Sequence, residues 1–76
     1  MSDVESRLVT CFAAVFPRLS PEEIVRADVD SIPSWDSMAT LTLTALIEEE
    51  FHVAIDPRVR EELRSFQDVL AHLRSA

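Results

Sequence analysis

Not one residue of this 76-residue chain is glycine. The turns favoured by tight β-hairpins need positive φ, which glycine supplies at least cost. A chain without it is a poor candidate for a sheet of short hairpins. It also holds no Gly-rich loop of the kind that cradles nucleotide phosphates. Proline is the punctuation that remains, at Pro17, Pro21, Pro33 and Pro57. Between those marks the apolar residues, 47% of the chain, argue against wholesale disorder and for a packed core. The length suits one small domain spanning residues 1–76.

The breaks divide the chain into helices. Ser2 and Glu5 have capping-box spacing, and Val4, Leu8, Cys11, Phe12 and Val15 follow one apolar helix face from about Asp3 to Phe16. Pro17 ends that helix. Ser20-Pro21-Glu22-Glu23 is a second capping box with proline at the first helical position, opening a turn or two through Ile24 and Val25. Residues 27–35 form a loop whose Val29, Ile32 and Trp35 predict packing over the core. A proline-free helix follows from about Ser37 to Phe51, capped by Asp36. Asp56-Pro57 opens a short helix through about Leu63, and Ser65 caps a last one carrying Phe66, Val69, Leu70 and Leu73. The expected fold is all-α: a small four-helix bundle, three helices longer and one short, with a long first loop.

Charge narrows the partners. Fourteen acidic residues face seven basic ones, all arginine, for a formal net charge of −7. Such a surface repels nucleic acid and anionic lipid and suits a basic protein partner, although solubility alone is an adequate reason for it. No apolar run is long enough to span a membrane, and no secretory leader is visible, so the expectation is a cytoplasmic monomer without membrane insertion. The single cysteine, Cys11, cannot form an internal disulfide and reads as a core residue.

The helix from Ser37 to Phe51 is apolar on too many sides. At about 100° per residue, Leu43, Ile47 and Phe51, joined by Leu46, make a conventional core face. Met38, Leu41 and Ala45 make a second stripe on nearly the opposite side, with Thr42, Glu48 and Glu49 beside it. One apolar face suffices for a surface helix. The second stripe, edged by acids, reads either as a docking surface for other proteins or as a seat for the loop around Ile32 and Trp35. Glu48, Glu49 and Glu50 also crowd the end of the helix where the dipole disfavours negative charge, a placement that asks for another reason.

Here the sequence resembles the acyl carrier protein family. That family carries its prosthetic arm on the serine of an Asp-Ser-Leu-type motif, where a long loop meets the second major helix. The match is Trp35-Asp36-Ser37-Met38 and the helix after it. Upstream, Leu19-Ser20-Pro21-Glu22-Glu23-Ile24 looks like the start of the family's first loop. Downstream, Glu49 to Ile55 and Ser65-Phe66-Gln67-Asp68-Val69 look like the approaches to its last two helices. The three-residue motif is weak by itself, because Asp30-Ser31-Ile32 fits it too. Pro33 separates the two copies: it drives Ile32 out of helical geometry, so no helix starts at Ser31. The free amides and positive dipole end after Asp36 suit a phosphodiester on Ser37.

The resemblance implies a tethering function. A phosphopantetheinyl transferase moves 4'-phosphopantetheine from coenzyme A to the Ser37 hydroxyl, with Asp36 as motif residue and helix cap. The arm's thiol then carries acyl groups as thioesters among acyl-activating, synthase or acyltransferase enzymes, at high effective concentration. The chain itself is expected to catalyse nothing. Met38, Leu41, Ala45, Glu48 and Glu49 are the expected partner-binding residues. Leu43, Ile47, Phe51, Ile55 and Leu63 are placed to line an acyl pocket between helices, and equally to be ordinary core.

One departure bears on the pathway. Fatty-acid members of the family often have acids along the first half of this helix, where this chain has Ala39-Thr40-Leu41-Thr42-Leu43-Thr44. Arg58, Arg60 and Arg64 add positive charge in and after the third helix. A specialised pathway, such as polyketide, lipid or other secondary metabolism, is therefore at least as well supported as primary fatty-acid biosynthesis. An aminoacyl or peptidyl carrier and an unmodified helical adaptor are the other readings. His52, His72 and Cys11 lack metal-ligand spacing, and neighbouring glutamates on a helix point apart, which speaks against a metal site or a carboxylate pair.

Overall fold

The computed structural model describes residues 3–75. Five helices follow one another: α1 (Asp3–Val15), α2 (Pro21–Val25), α3 (Ser37–Phe51), α4 (Pro57–Glu62) and α5 (Phe66–Ser75). Three are long and two are one to two turns, α2 being the helical turn expected inside the first connection. No strand forms among the described residues, and the architecture is an all-α bundle. The capping box that begins at Ser2 lies outside the described residues.

The helix starts follow the cap chemistry. Ser20 accepts from the Glu23 amide at 3.2 Å while the Glu23 carboxylate accepts from the Ser20 amide at 2.9 Å. Asp56 accepts from Arg58 N–H at 2.8 Å, with Pro57 filling the first helical position, where its missing N–H costs nothing. At α5, Ser65 Oγ accepts from Asp68 N–H at 3.0 Å, and the Asp68 carboxylate reaches back to Arg64 N–H at 3.1 Å.

Phe12 is fully buried at the centre of the core. Its ring meets Trp35 and Phe66 edge-on, with centroids 5.5 and 5.1 Å away, a favoured aromatic arrangement. Leu8, Ile24, Leu43, Ile47, Val69 and Leu70 close around this group. The first loop packs over the core, as its apolar content predicts. Ala27 and Trp35 are buried, while Val29 and Ile32 are half-buried against the cluster.

A short pairing invisible to periodicity pins that loop. Val29 N–H donates to the Arg64 carbonyl at 2.9 Å and Phe66 N–H to the Ala27 carbonyl at 3.0 Å, forming an antiparallel bridge between Asp28 and Ser65. The loop is thereby tied to the α4–α5 junction, which places α4 near the start of α3.

Candidate functional site

The site is built where the loop turns into α3. Asp36 has extended backbone geometry, and its carboxylate accepts from Ala39 N–H at 2.9 Å. Its carbonyl takes the Thr40 N–H at 3.0 Å. The amides of Ser37 and Met38 have no hydrogen-bond partner among the described residues, as expected for the first turn of a helix. Ser37 is the first helical residue, exposed, with no bond to its hydroxyl among the described residues. Ser31, the other serine in the loose motif, sits in a turn instead. Its amide donates to Asp28 Oδ1 at 2.8 Å, and no helix begins there.

Trp35 fixes the approach to Ser37. Its ring is buried against Phe12 and Phe16, and its indole N–H donates to Thr40 Oγ1 at 3.0 Å. Thr40 in turn donates to the Asp36 carbonyl at 3.0 Å. This chain of bonds ties the first turn of α3, where Ser37 stands, to the buried Trp35.

Ser37 stands on an open groove of about 510 Å³ between the start of α3 and α4. Trp35 and Leu41 give the groove apolar surface, and Arg60 and Arg64 bring positive charge to it. The free amides, the dipole end and the two guanidinium groups make this a place that accepts an anion. Sequence reasoning saw the helix start. It missed Arg60 and Arg64 as neighbours of Ser37, because the bridge that brings α4 close carries no periodic signal.

The other expected site residues separate into two groups. Met38 is 70% exposed and Leu41 47%, and these are the exposed large hydrophobic side chains among the described residues. Ala45 is exposed beside them. The loop around Ile32 and Trp35 does not cover this stripe. Leu43, Ile47 and Ile55 are buried, and Phe51 and Leu63 are half-buried against the same cluster, so the acyl-pocket candidates are all packed as core.

The three glutamates at the end of α3 have different surroundings. Glu48 turns inward, and its Oε2 accepts from Ile55 N–H at 2.8 Å. Glu50 pairs with Arg7 of α1 at 2.8 Å. The same guanidinium donates to the Glu50 carbonyl and lies 4.5 Å from the centroid of the Phe51 ring. Arg7 thus supplies the cation that the C-terminal end of α3 calls for, and the hydrogen bond it donates to the Glu50 carboxylate pushes its pKa up. Glu49 remains exposed. Cys11 is buried nearby on α1, and burial pushes its thiol pKa up, the direction of an inert core thiol.

A small helical scaffold that offers an exposed serine at a capped helix start, beside a groove that carries two arginines, has the form of a carrier domain. A family model described as a phosphopantetheine attachment site matches residues 6–73, and the chain belongs to that family. Members bear 4'-phosphopantetheine and act as non-catalytic carriers, served by phosphopantetheinyl transferases and by the enzymes that load and use the arm. No curated protein matches the chain. No helix among the described residues is long and apolar enough to cross a membrane.

Proposed function

We propose that this protein is an acyl carrier whose arm is attached to Ser37. The observation that carries the assignment is the exposed Ser37 at the first position of α3, between the groove lined by Arg60 and Arg64 and the exposed Met38–Leu41 surface. In the modification, the Ser37 oxygen bonds to the phosphorus that bears the pantetheine of coenzyme A. The phosphorus–oxygen bond to the adenosine bisphosphate breaks, that fragment leaves with the electron pair, and the serine proton passes to a base of the transferase. The asymmetric surface supports a specialised acyl pathway: the first half of α3 lacks acids, while Arg58, Arg60 and Arg64 lie in and after α4. Met38, Leu41 and Ala45 form the docking surface, with Glu49 as its acidic edge.

The test is direct. Apo protein incubated with coenzyme A and a broad-specificity transferase gains the mass of one arm, and Ser37→Ala abolishes the gain. No gain overturns the assignment and favours an unmodified adaptor, whereas a gain that survives the substitution overturns Ser37 as the attachment residue. Loading assays with acyl-activating and amino-acid-activating ligases then separate an acyl carrier from an aminoacyl or peptidyl one.

A further inference from the structure

Of the seven arginines, Arg7, Arg64 and Arg74 are paired with acids. The guanidinium of Arg60 has no ion pair or hydrogen bond among the described residues, yet Arg60 is half-buried and lines the groove beside Ser37. Its place on α4 puts it on the wall of the groove facing the start of α3. Glu61 is the next residue of the same helix and does not face it, and Asp56, one turn earlier, makes no ion pair with it among the described residues, its carboxylate accepting from Arg58 N–H instead. The Asp36 carboxylate on the other wall already accepts from Ala39 N–H. Arg64, the second cation, is shared with Asp30 at 3.7 Å. The four charged residues of the groove, Asp36, Glu61, Arg60 and Arg64, sum to zero. One added negative charge on Ser37 therefore meets an uncommitted guanidinium without an existing pair having to break.

We propose that Arg60, seconded by Arg64, grips the phosphodiester formed on Ser37 and so seats the root of the arm in the groove between α3 and α4. This rests on Ser37 as the attachment residue. A guanidinium presents a planar fork that matches two phosphate oxygens, which an ammonium cannot do. The amides of Ser37 and Met38 approach the same oxygens from the helix start. The arm then leaves the protein over Trp35 and Leu41 in a restricted set of directions, which favours its presentation toward the Met38–Leu41 docking surface.

The experiment compares apo and holo protein by NMR, after intact mass and peptide mapping have located the arm. In the wild type, the Arg60 Nε–H signal shifts on modification, and the phosphodiester phosphorus signal responds to added salt. In Arg60→Gln the phosphorus signal moves to the position seen in an unfolded holo peptide and loses its salt response. Arg60→Lys falls between the two, since it keeps the charge and loses the fork. If Arg60→Gln does not fold, the Arg60 Nε–H shift in the wild type and the phosphorus signal of Arg60→Lys decide. An arm on Ser37 with an unmoved Arg60 signal and identical phosphorus spectra in all variants overturns the grip alone. An arm found on another residue overturns the attachment assignment, and the grip with it.

Discussion

His52 shows what a chain without glycine does when a helix must end. It follows Phe51 with φ 54° and ψ 45°, the left-handed conformation that glycine usually fills. Its amide donates to the Glu48 carbonyl, as does that of Val53 at 3.2 Å, so the last turn of α3 is properly closed. The cost is steric crowding of the Cβ, on the order of 1 kcal/mol. The histidine side chain is exposed and has no hydrogen bond or ion pair among the described residues. His52→Gly is therefore expected to stabilise the fold by about 0.5 kcal/mol, the strain relief being partly offset by the greater freedom of glycine in the unfolded chain. In a domain of this size that raises the thermal midpoint by roughly 2–4 °C. A calorimetric midpoint unchanged or lowered in His52→Gly means that the left-handed turn is not a source of strain.

Among the elements, α3 was the most legible and also the one whose end was read least completely. Its bounds follow from Asp36 and from the uninterrupted run to Phe51, and the structure has the same bounds. The buried face came from spacing, with Leu43 and Ile47 at its centre. What spacing could not reveal is a partner supplied by a distant residue. Arg7 reaches Glu50 across 43 positions, and Glu48 reaches forward to an amide in the connection to α4. Glu48 thus holds the Ile55 amide, which fixes where Ile55 enters the core. Glu48→Ala is expected to cost about 1–2 kcal/mol by stripping that amide of its acceptor. Glu48→Gln keeps a carbonyl oxygen at the same reach and removes a charge from the wrong end of a dipole, so it stays close to the wild type. Urea denaturation of both variants separates the bond from the charge: equal losses in the two would show that charge is what matters. The loop was legible in the same partial way. Its apolar residues announce that it packs, whereas the Asp28–Ser65 bridge, a single pair of residues far apart in sequence, leaves no pattern to read.

At the scale of the molecule, thickness explains why α3 keeps a naked apolar stripe. The domain extends 28 by 27 Å but is only 17 Å thick. Packed helices lie about 8–10 Å apart, so such a body has room for two helix layers and no third. α3 packs on α1, and on its other side Met38, Leu41 and Ala45 stay exposed among the described residues. The described residues leave the outward stripe uncovered, and the stretch of helix carrying it begins at the exposed serine. Exposed side chains away from caps and pairs contribute little to folding, so Met38→Ala combined with Leu41→Ala is expected to leave stability within about 0.5 kcal/mol for each change. Apolar anchors at the centre of an interface commonly cost more than 1 kcal/mol when truncated. The pair together is then expected to lower kcat/KM of the transferase, with the carrier as varied substrate, by about tenfold or more. Glu49→Lys, at the edge of the same face, gives a smaller loss that shrinks as salt is raised. With urea denaturation first showing the double variant as stable as the wild type, a rate that does not fall places docking elsewhere on the molecule. A rate that falls with KM rising and kcat unchanged identifies the stripe as a surface that holds the carrier, with the chemistry left to Ser37 and the enzyme.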